Sequence, residues 1–215
     1  MSQGSELIKA HFPNISEQKL SLLTHYADLL LETNQKINLI SRKDAEHVHT
    51  RHILHSLSIA KVNDFAAEQR VLDVGTGGGL PGIPLAIMNP ETEFYLVDSI
   101  GKKINAVKDM VEELGLHNVY AANERVENLR MNFDFAVSRA VTALPKISVW
   151  LKGKIVKGNQ ATLPNGLIYI KGGDFTDELT EIGKEYRTWE IQPWFKDEFF
   201  ETKKVVWINL ASSKA

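Results

Sequence analysis

The stretch Asp73-Val74-Gly75-Thr76-Gly77-Gly78-Gly79-Leu80-Pro81-Gly82 is where this chain's residue types most clearly promise chemistry. A short apolar run, Val71 to Val74, feeds a glycine-rich turn and then a helix. That order lets a small ligand lie against bare backbone at the carboxyl edge of a parallel sheet. Gly75, Gly77 and Gly79 permit positive φ and an approach that a Cβ would block. A merely tight turn would not need four glycines in the five positions 75–79, since each costs conformational entropy on folding. Gly77 to Gly82 can be threaded as the G-x-G-x-x-G of nicotinamide-binding folds, but Asp73 argues for a different ligand. A carboxylate just before the first glycine repels a pyrophosphate and suits a group bearing an ammonium. Asp98, about 25 residues further on at the end of the next apolar run, stands where the ribose-binding acid of nucleotide folds falls. The competing reading of Asp98 is a turn acid ahead of Ser99. A nucleoside that carries an amino acid and no phosphates satisfies both acids, and that ligand is S-adenosylmethionine.

Other residue types narrow the chemistry further. The 215 residues include no cysteine, which excludes thiol redox, cysteine nucleophiles, Cys-ligated zinc and the cysteine route to pyrimidine C5 methylation. His47, His49, His52 and His55 do not fall on one helix face and have no H-E-x-x-H partner, so a polar helix face is expected there and no metal. Arg42, Lys43 and Arg51 beside them suit either phosphate contact or simple solvation, and so do Lys152, Lys154 and Lys157. Arg139 ends a predicted strand on the ligand side of the sheet, a better place for function than for packing. Asn89-Pro90-Glu91-Thr92 reads as the turn after a helix.

These residues need a frame, and the hydrophobic periodicity supplies one. Leu20, Leu23, Ala27, Leu30 and Leu31 predict a helix over Ser16 to Thr33 with Ser16 as N-cap, and a second helix is expected from Glu46 to Ala60. Together they form a helical N-terminal cap over residues 1–66, ahead of a core over 67–215. From Arg70 onward short apolar runs alternate with helices. Strands are predicted at Val71 to Val74, Phe94 to Val97, Asn118 to Ala121, Phe133 to Val137 and Gly166 to Ile170. The helices between them run over Pro84 to Met88, Lys102 to Leu114 with Gly115 as C-cap, and Ala143 to Leu151. A helix over Thr176 to Tyr186 then precedes an antiparallel pair, Arg187 to Gln192 with Lys203 to Leu210, at one sheet edge. The fold class is therefore α/β, an open and mostly parallel sheet with helices on both faces.

The chain resembles the bacterial ribosomal RNA small subunit methyltransferase G family, also called the glucose-inhibited division protein B family. The resemblance covers most of the chain. It rests on Asn38-Leu39-Ile40-Ser41, Arg51-His52-Ile53-Leu54, Ser56-Leu57 and the glycine loop continuing through Leu80-Pro81-Gly82-Ile83-Pro84-Leu85. Asp98-Ser99, Lys102-Lys103, Arg125-Val126-Glu127, Ser138-Arg139-Ala140 and Lys171-Gly172 extend it. The Leu-Pro-Gly-Ile-Pro continuation is far more specific than a generic glycine loop. The chain departs from the family pattern at Thr33-Asn34, where a Trp-Asn pair is usual, and at His55, where an Asp is usual.

The resemblance implies a Rossmann-like class I methyltransferase with a seven-stranded sheet, acting with S-adenosyl-L-methionine on N7 of one guanine in 16S rRNA. It places Gly75 and Leu80 at the cofactor loop, Val126 and Glu127 at the adenine, and Arg139 at the mouth of the site. Asp73, Gly77 and Asp98 complete the expected cofactor residues, and Arg139 with Lys171 are the expected substrate-positioning cations. Guanine N7 has a lone pair and no proton, so attack on a sulfonium methyl asks for alignment and not for a general base, in keeping with the absent thiol. The expected partner is 16S rRNA or the 30S subunit, approached by a monomer. A net charge of −2 means that any grip on nucleic acid must come from a local patch. No apolar run approaches the ~20 residues of a membrane span and the start MSQGSELIKAHF is no signal peptide, so a cytoplasmic location is expected. Two alternatives stand beside this reading: a methyltransferase of the same fold with another substrate, and a non-catalytic RNA-binding assembly factor.

Overall fold

The computed structural model describes residues 3–211. Seven strands form one sheet: β1 (Arg70–Val74), β2 (Glu93–Asp98), β3 (Val119–Asn123), β4 (Phe135–Arg139), β5 (Gly166–Gly172), β6 (Tyr186–Glu190) and β7 (Lys203–Ile208). Their order is β3-β2-β1-β4-β5-β7-β6. The first five run parallel, while β7 lies antiparallel to both neighbours, β5 and β6. The expected antiparallel pair is therefore present, with its second member inserted next to β5. The order reverses between β1 and β4, and in open parallel sheets that switch point opens a crevice beyond the strand ends.

Both faces of the sheet are covered, so the strands read as near-continuous apolar runs. Side chains still alternate: Val71, Phe135 and Ile168 enter one buried cluster, while Leu72, Ala136 and Tyr169 enter the other. The first cluster is shared with the N-terminal helices α1 (Gln3–His11) and α2 (Glu17–Lys36) through Ile8, Leu20, Leu23, Tyr26 and Leu30. After the short α3 (Arg42–Ala45) and α4 (His55–Leu57) come α5 (Gly82–Met88) and α6 (Gly101–Glu113), whose buried residues also join it. The second cluster is closed by α7 (Leu144–Trp150) and α8 (Thr176–Ile182), and a single turn, α9 (Gln192–Phe195), precedes β7.

Ser16 caps α2 by accepting from the Lys19 amide at 3.3 Å, as its position predicts, and the helix runs one turn beyond Thr33. The helix expected over 46–60 is broken instead. It becomes a π-helical turn, His49–Leu54, followed by α4 and a 3-10 turn, Ile59–Lys61. The reason is competition for backbone carbonyls. Ser56 Oγ takes the His52 carbonyl at 2.7 Å, Ser58 Oγ takes that of His55 at 2.6 Å, and Arg139 takes that of Arg51 at 3.2 Å. Nor do the histidines form a polar face: His52 and His55 are buried. Phe133 makes only an isolated bridge to Ile155, so β4 begins at Phe135. Helix α8 stops at Ile182 because Gly183 turns left-handed with φ 58°, releasing Tyr186 to start β6.

Gly115 ends α6 with φ 62°, and no atom lies within 4 Å of where its Cβ would sit. Its replacement is thus limited by backbone strain alone. Gly115→Ala is expected to lower unfolding free energy by about 1 kcal/mol, measured by urea denaturation, while leaving ligand binding unchanged.

Candidate functional site

The loops following β1, β2, β3 and β4 surround one cavity of about 440 Å³, within the range of roughly 300–1,000 Å³ typical of small-molecule sites. Its floor is the glycine loop. The Gly75 and Thr76 amides both donate to the Val97 carbonyl, at 2.9 and 3.0 Å, so the loop is clamped onto the end of β2. Gly75, Gly77 and Gly79 adopt φ of 67°, 59° and 97°, as the loop requires. A Cβ on Gly77 would meet nothing within 4 Å, which leaves that peptide open to a ligand.

Asp98 closes β2 and lines the cavity. Its Oδ2 accepts from the Gly77 amide at 3.0 Å and its Oδ1 from the Ile100 amide at 2.9 Å. A carboxylate oxygen has a second lone pair, so each can still accept a ligand hydroxyl. Val126 and Glu127, after β3, form another wall, and Lys154 anchors that segment by donating to the Leu129 carbonyl at 2.6 Å. Gly75, Gly77, Leu80, Asp98, Val126, Glu127 and Arg139 are thus brought together around one space, having been singled out from four separate loops.

Two of the expected residues are not. Asp73 does not line the cavity. It is fully buried behind the loop, where its Oδ2 accepts from Thr76 Oγ1 at 2.7 Å and from the Gly82 amide at 2.8 Å. It therefore joins the loop to the first turn of α5 and presents no surface to the cavity. Burial pushes its pKa up to about 7, against the bonds from Thr76 and Gly82 and the charge of Arg139. Lys171 is likewise withdrawn from the cavity. At the end of β5 it pairs with Glu178 at 3.0 Å, and Glu178 also accepts from the Leu144 amide at 2.6 Å, fixing the start of α7.

Arg139 does reach the mouth. Its Nη1 donates to the Arg51 carbonyl at 3.2 Å and its Nη2 lies 3.1 Å from His52 Nδ1. A guanidinium only donates, so this nitrogen of His52 is the acceptor and the neutral ring carries its proton on Nε2. Burial and the adjacent Arg139 push the His52 pKa down to about 3, which keeps the ring in that form.

Several cavity residues escaped the sequence reading. Val141 follows Ala140, which is held at φ 53°, and its side chain covers Gly75 closely enough that a Cβ there would lie 2.6 Å away. Tyr169 on β5 fixes this turn, accepting from the Val141 and Thr142 amides at 2.9 and 3.1 Å and donating to the Thr142 carbonyl at 2.8 Å. Trp150, at the end of α7, lines the cavity from the same side. Tyr26 supports the loop from behind, its hydroxyl donating to the Gly78 carbonyl at 2.8 Å. Only Tyr26 left a trace in the sequence, three residues after Leu23 at helical spacing.

A profile of the family described as rRNA small subunit methyltransferase G matches residues 19–205. The chain belongs to that family. Ribosomal RNA small subunit methyltransferase G of Christiangramia forsetii is 51% identical over 208 residues, 95% of this chain and 97% of that protein. Its counterpart in Flavobacterium psychrophilum is 50% identical over 205 residues, 95% and 98% of the two chains. Among solved structures, Aeropyrum pernix fibrillarin with bound S-adenosyl-L-methionine superposes with a TM-score of 0.55 at 12% identity, covering 74% of each chain. The precorrin-6y C5,15-methyltransferase of Geobacter metallireducens gives 0.54 at 10% identity, over 80% of this chain and 90% of that one. At such low identity these two establish a shared Rossmann-like methyltransferase fold.

Two outcomes are expected from the loop supports. Asp73 has a raised pKa, so the native state binds its proton more tightly than the unfolded chain and this group's contribution to stability falls as pH rises from about 4 to about 7. In Asp73→Asn that decline is missing from the variant's own stability curve, so the variant is expected to gain stability relative to the wild type as pH rises through this window, measured by denaturation. Tyr26→Phe leaves the Gly78 carbonyl without its donor at a cost of about 1–3 kcal/mol and loosens the loop. Its S-adenosylhomocysteine affinity, measured by calorimetry, is expected to fall more than that of Leu20→Val, a control in the same helix core.

Proposed function

We propose that the chain transfers a methyl group from S-adenosylmethionine to N7 of a guanine in 16S rRNA. The observation that carries this reading is the cavity at the sheet's switch point: an open glycine peptide and a carboxylate with spare acceptor capacity face each other, inside a chain of this family. The residues present fit the cofactor. Asp98 would accept the ribose hydroxyls, the Gly77 backbone would lie beneath the amino-acid arm, and Val126 with Ile100 would enclose the adenine. When bound, S-adenosylmethionine supplies an electrophilic methyl group on a sulfonium.

The chain's own task is alignment. Guanine N7 presents a lone pair and no proton, so no side chain has to act as base at that atom. Arg139, fixed by the Arg51 carbonyl and His52, offers guanidinium donors at the mouth for the O6 edge of the guanine or for a phosphate. The N-terminal segment, residues 1–66, would act as a cap that helps to capture RNA, and the working unit would be a monomer. Among the described residues no helix is long and apolar enough to cross a membrane, and no group of three or more His, Asp or Glu side chains is arranged to hold a metal.

The deciding experiment incubates the protein with labelled S-adenosylmethionine and 16S rRNA or 30S subunits from a strain lacking the enzyme, followed by nucleoside analysis. Label in 7-methylguanosine is the expected outcome. Cofactor binding without incorporation would turn the reading toward a non-catalytic RNA-binding factor. In the same system Asp98→Ala is expected to weaken S-adenosylhomocysteine binding by about 1.5–3 kcal/mol, because hydrogen bonds to a charged acceptor are lost. Unchanged affinity by calorimetry would remove Asp98 from the ribose.

A further inference from the structure

A cluster of cations beside the cavity mouth has too little negative charge to satisfy it. Lys203, the first residue of β7, places its Nζ 3.8 Å from the centroid of the Phe199 ring and donates to the Phe199 carbonyl at 2.6 Å. Arg51, from the π-helical turn, lies over the same ring at 5.3 Å. The ring cannot move away, because His55 meets it edge-on at 5.3 Å and Phe200 at 5.1 Å. Arg139 joins the cluster through the Arg51 carbonyl.

Against these three cations stand Asp44, which pairs with Arg51 at 2.7 Å and whose charge also acts on Lys203 and Arg139, and the buried Asp73, whose charge acts on Arg139. The two other lysines at this end of the sheet are paired, Lys171 with Glu178 and Lys204 with Glu190 at 2.7 Å. Lys203 forms no ion pair among the described residues, although it is half-buried. The Phe199 carbonyl and ring offset part of the cost of desolvating this ammonium, and they leave it room to be completed by an anion. The register places Lys203 opposite Gly172, at the carboxyl end of β5 and hence on the cavity edge of the sheet. A chain of net charge −2 that acts on a polyanion must also gather its cations locally.

We infer that Lys203 and Arg51, set on the Phe199 ring, hold one backbone phosphate of the rRNA next to the target guanine. This phosphate site rests on the rRNA reading given above. The chain's two ends would then form it jointly, since Arg51 comes from the N-terminal segment and Lys203 from the last strand.

The test compares the wild type with Lys203→Met, which keeps an unbranched apolar stem over Phe199, and Lys203→Arg, which restores charge. Binding of 16S rRNA is measured over a series of KCl concentrations, alongside S-adenosylhomocysteine affinity and Tm. For Lys203→Met the slope of log affinity against log salt is expected to shrink by about one phosphate contact, and the KM for RNA to rise about fivefold to tenfold. Cofactor affinity and Tm are expected to stay at wild-type values, and Lys203→Arg to recover most of the RNA affinity. Unchanged RNA binding with a lowered Tm would make Lys203 a packing residue and overturn the inference. Weakened cofactor binding with unchanged RNA binding would overturn it too, by assigning the ammonium to the carboxylate of the cofactor. A wild-type protein that binds no rRNA would overturn both this inference and the function it rests on, whereas a variant that behaves like an active wild type overturns the phosphate site alone.

Discussion

A single buried carboxylate sets the geometry on which the rest of the site depends. Asp73 joins Thr76 in the glycine loop to the first amide of α5, so that the chain can leave β1, turn through residues with positive φ and enter a helix within a few residues. A loop so rich in glycine has little conformational preference of its own. Its shape has to be imposed from outside, and three contacts impose it: Asp73 from within, the Val97 carbonyl from β2 and Tyr26 from α2. The cost is a carboxyl held in an apolar interior, visible in its raised pKa. Such a group is tolerated because two short hydrogen bonds compensate part of its lost hydration.

The N-terminal segment is built into the site and does not merely cover it. Leu30 and Leu39 press on Gly78 so closely that a Cβ there would lie 2.9 and 3.1 Å from them, and Leu39 also lines the cavity. Asn34 accepts from the Leu39 and Ile40 amides at 2.8 and 3.0 Å, fixing the turn that presents Leu39. Thr33, where the family usually has Trp, lies at the end of the same helix. On the opposite side of the mouth Arg139 crosses from β4 to the Arg51 carbonyl. Whatever moves the N-terminal segment therefore also moves a cavity wall, the support of the glycine loop and the cation at the mouth.

The chemistry that the proposed transfer asks of such a site is modest, and its residue types agree with that. Attack by an unprotonated ring nitrogen needs position more than acid-base help, and position comes from rigid strand ends and short loops. The histidines near the mouth, His52 and His55, are buried and favoured in the neutral form, and Nδ1 of His52 serves as the acceptor that holds Arg139.

Much of this was legible in the sequence because it is local. The apolar runs, their spacing, Ser16 and Gly115 as caps, the glycines and the acid at the end of β2 all follow from rules that act over a few residues. So does the gathering of Gly77, Asp98 and Arg139, since in a parallel sheet every strand delivers its carboxyl end to the same edge, whereas Val126 came from the family resemblance alone. What the sequence could not decide is where side chains point once elements pack. Asp73 and Asp98 look alike as acids on neighbouring strands, yet one turns into the core and the other into the cavity. Lys171 and Lys203 both sit at that edge, and only the packing of α8 supplies one of them with a carboxylate. The helix expected over residues 46–60 gave way to a π turn partly for the same reason: beside the local Ser56 and Ser58, Arg139 from β4 competes for its carbonyls. Long-range partners of that kind carry no signature in local spacing, and they are decided only when the sheet and the N-terminal helices close on one another.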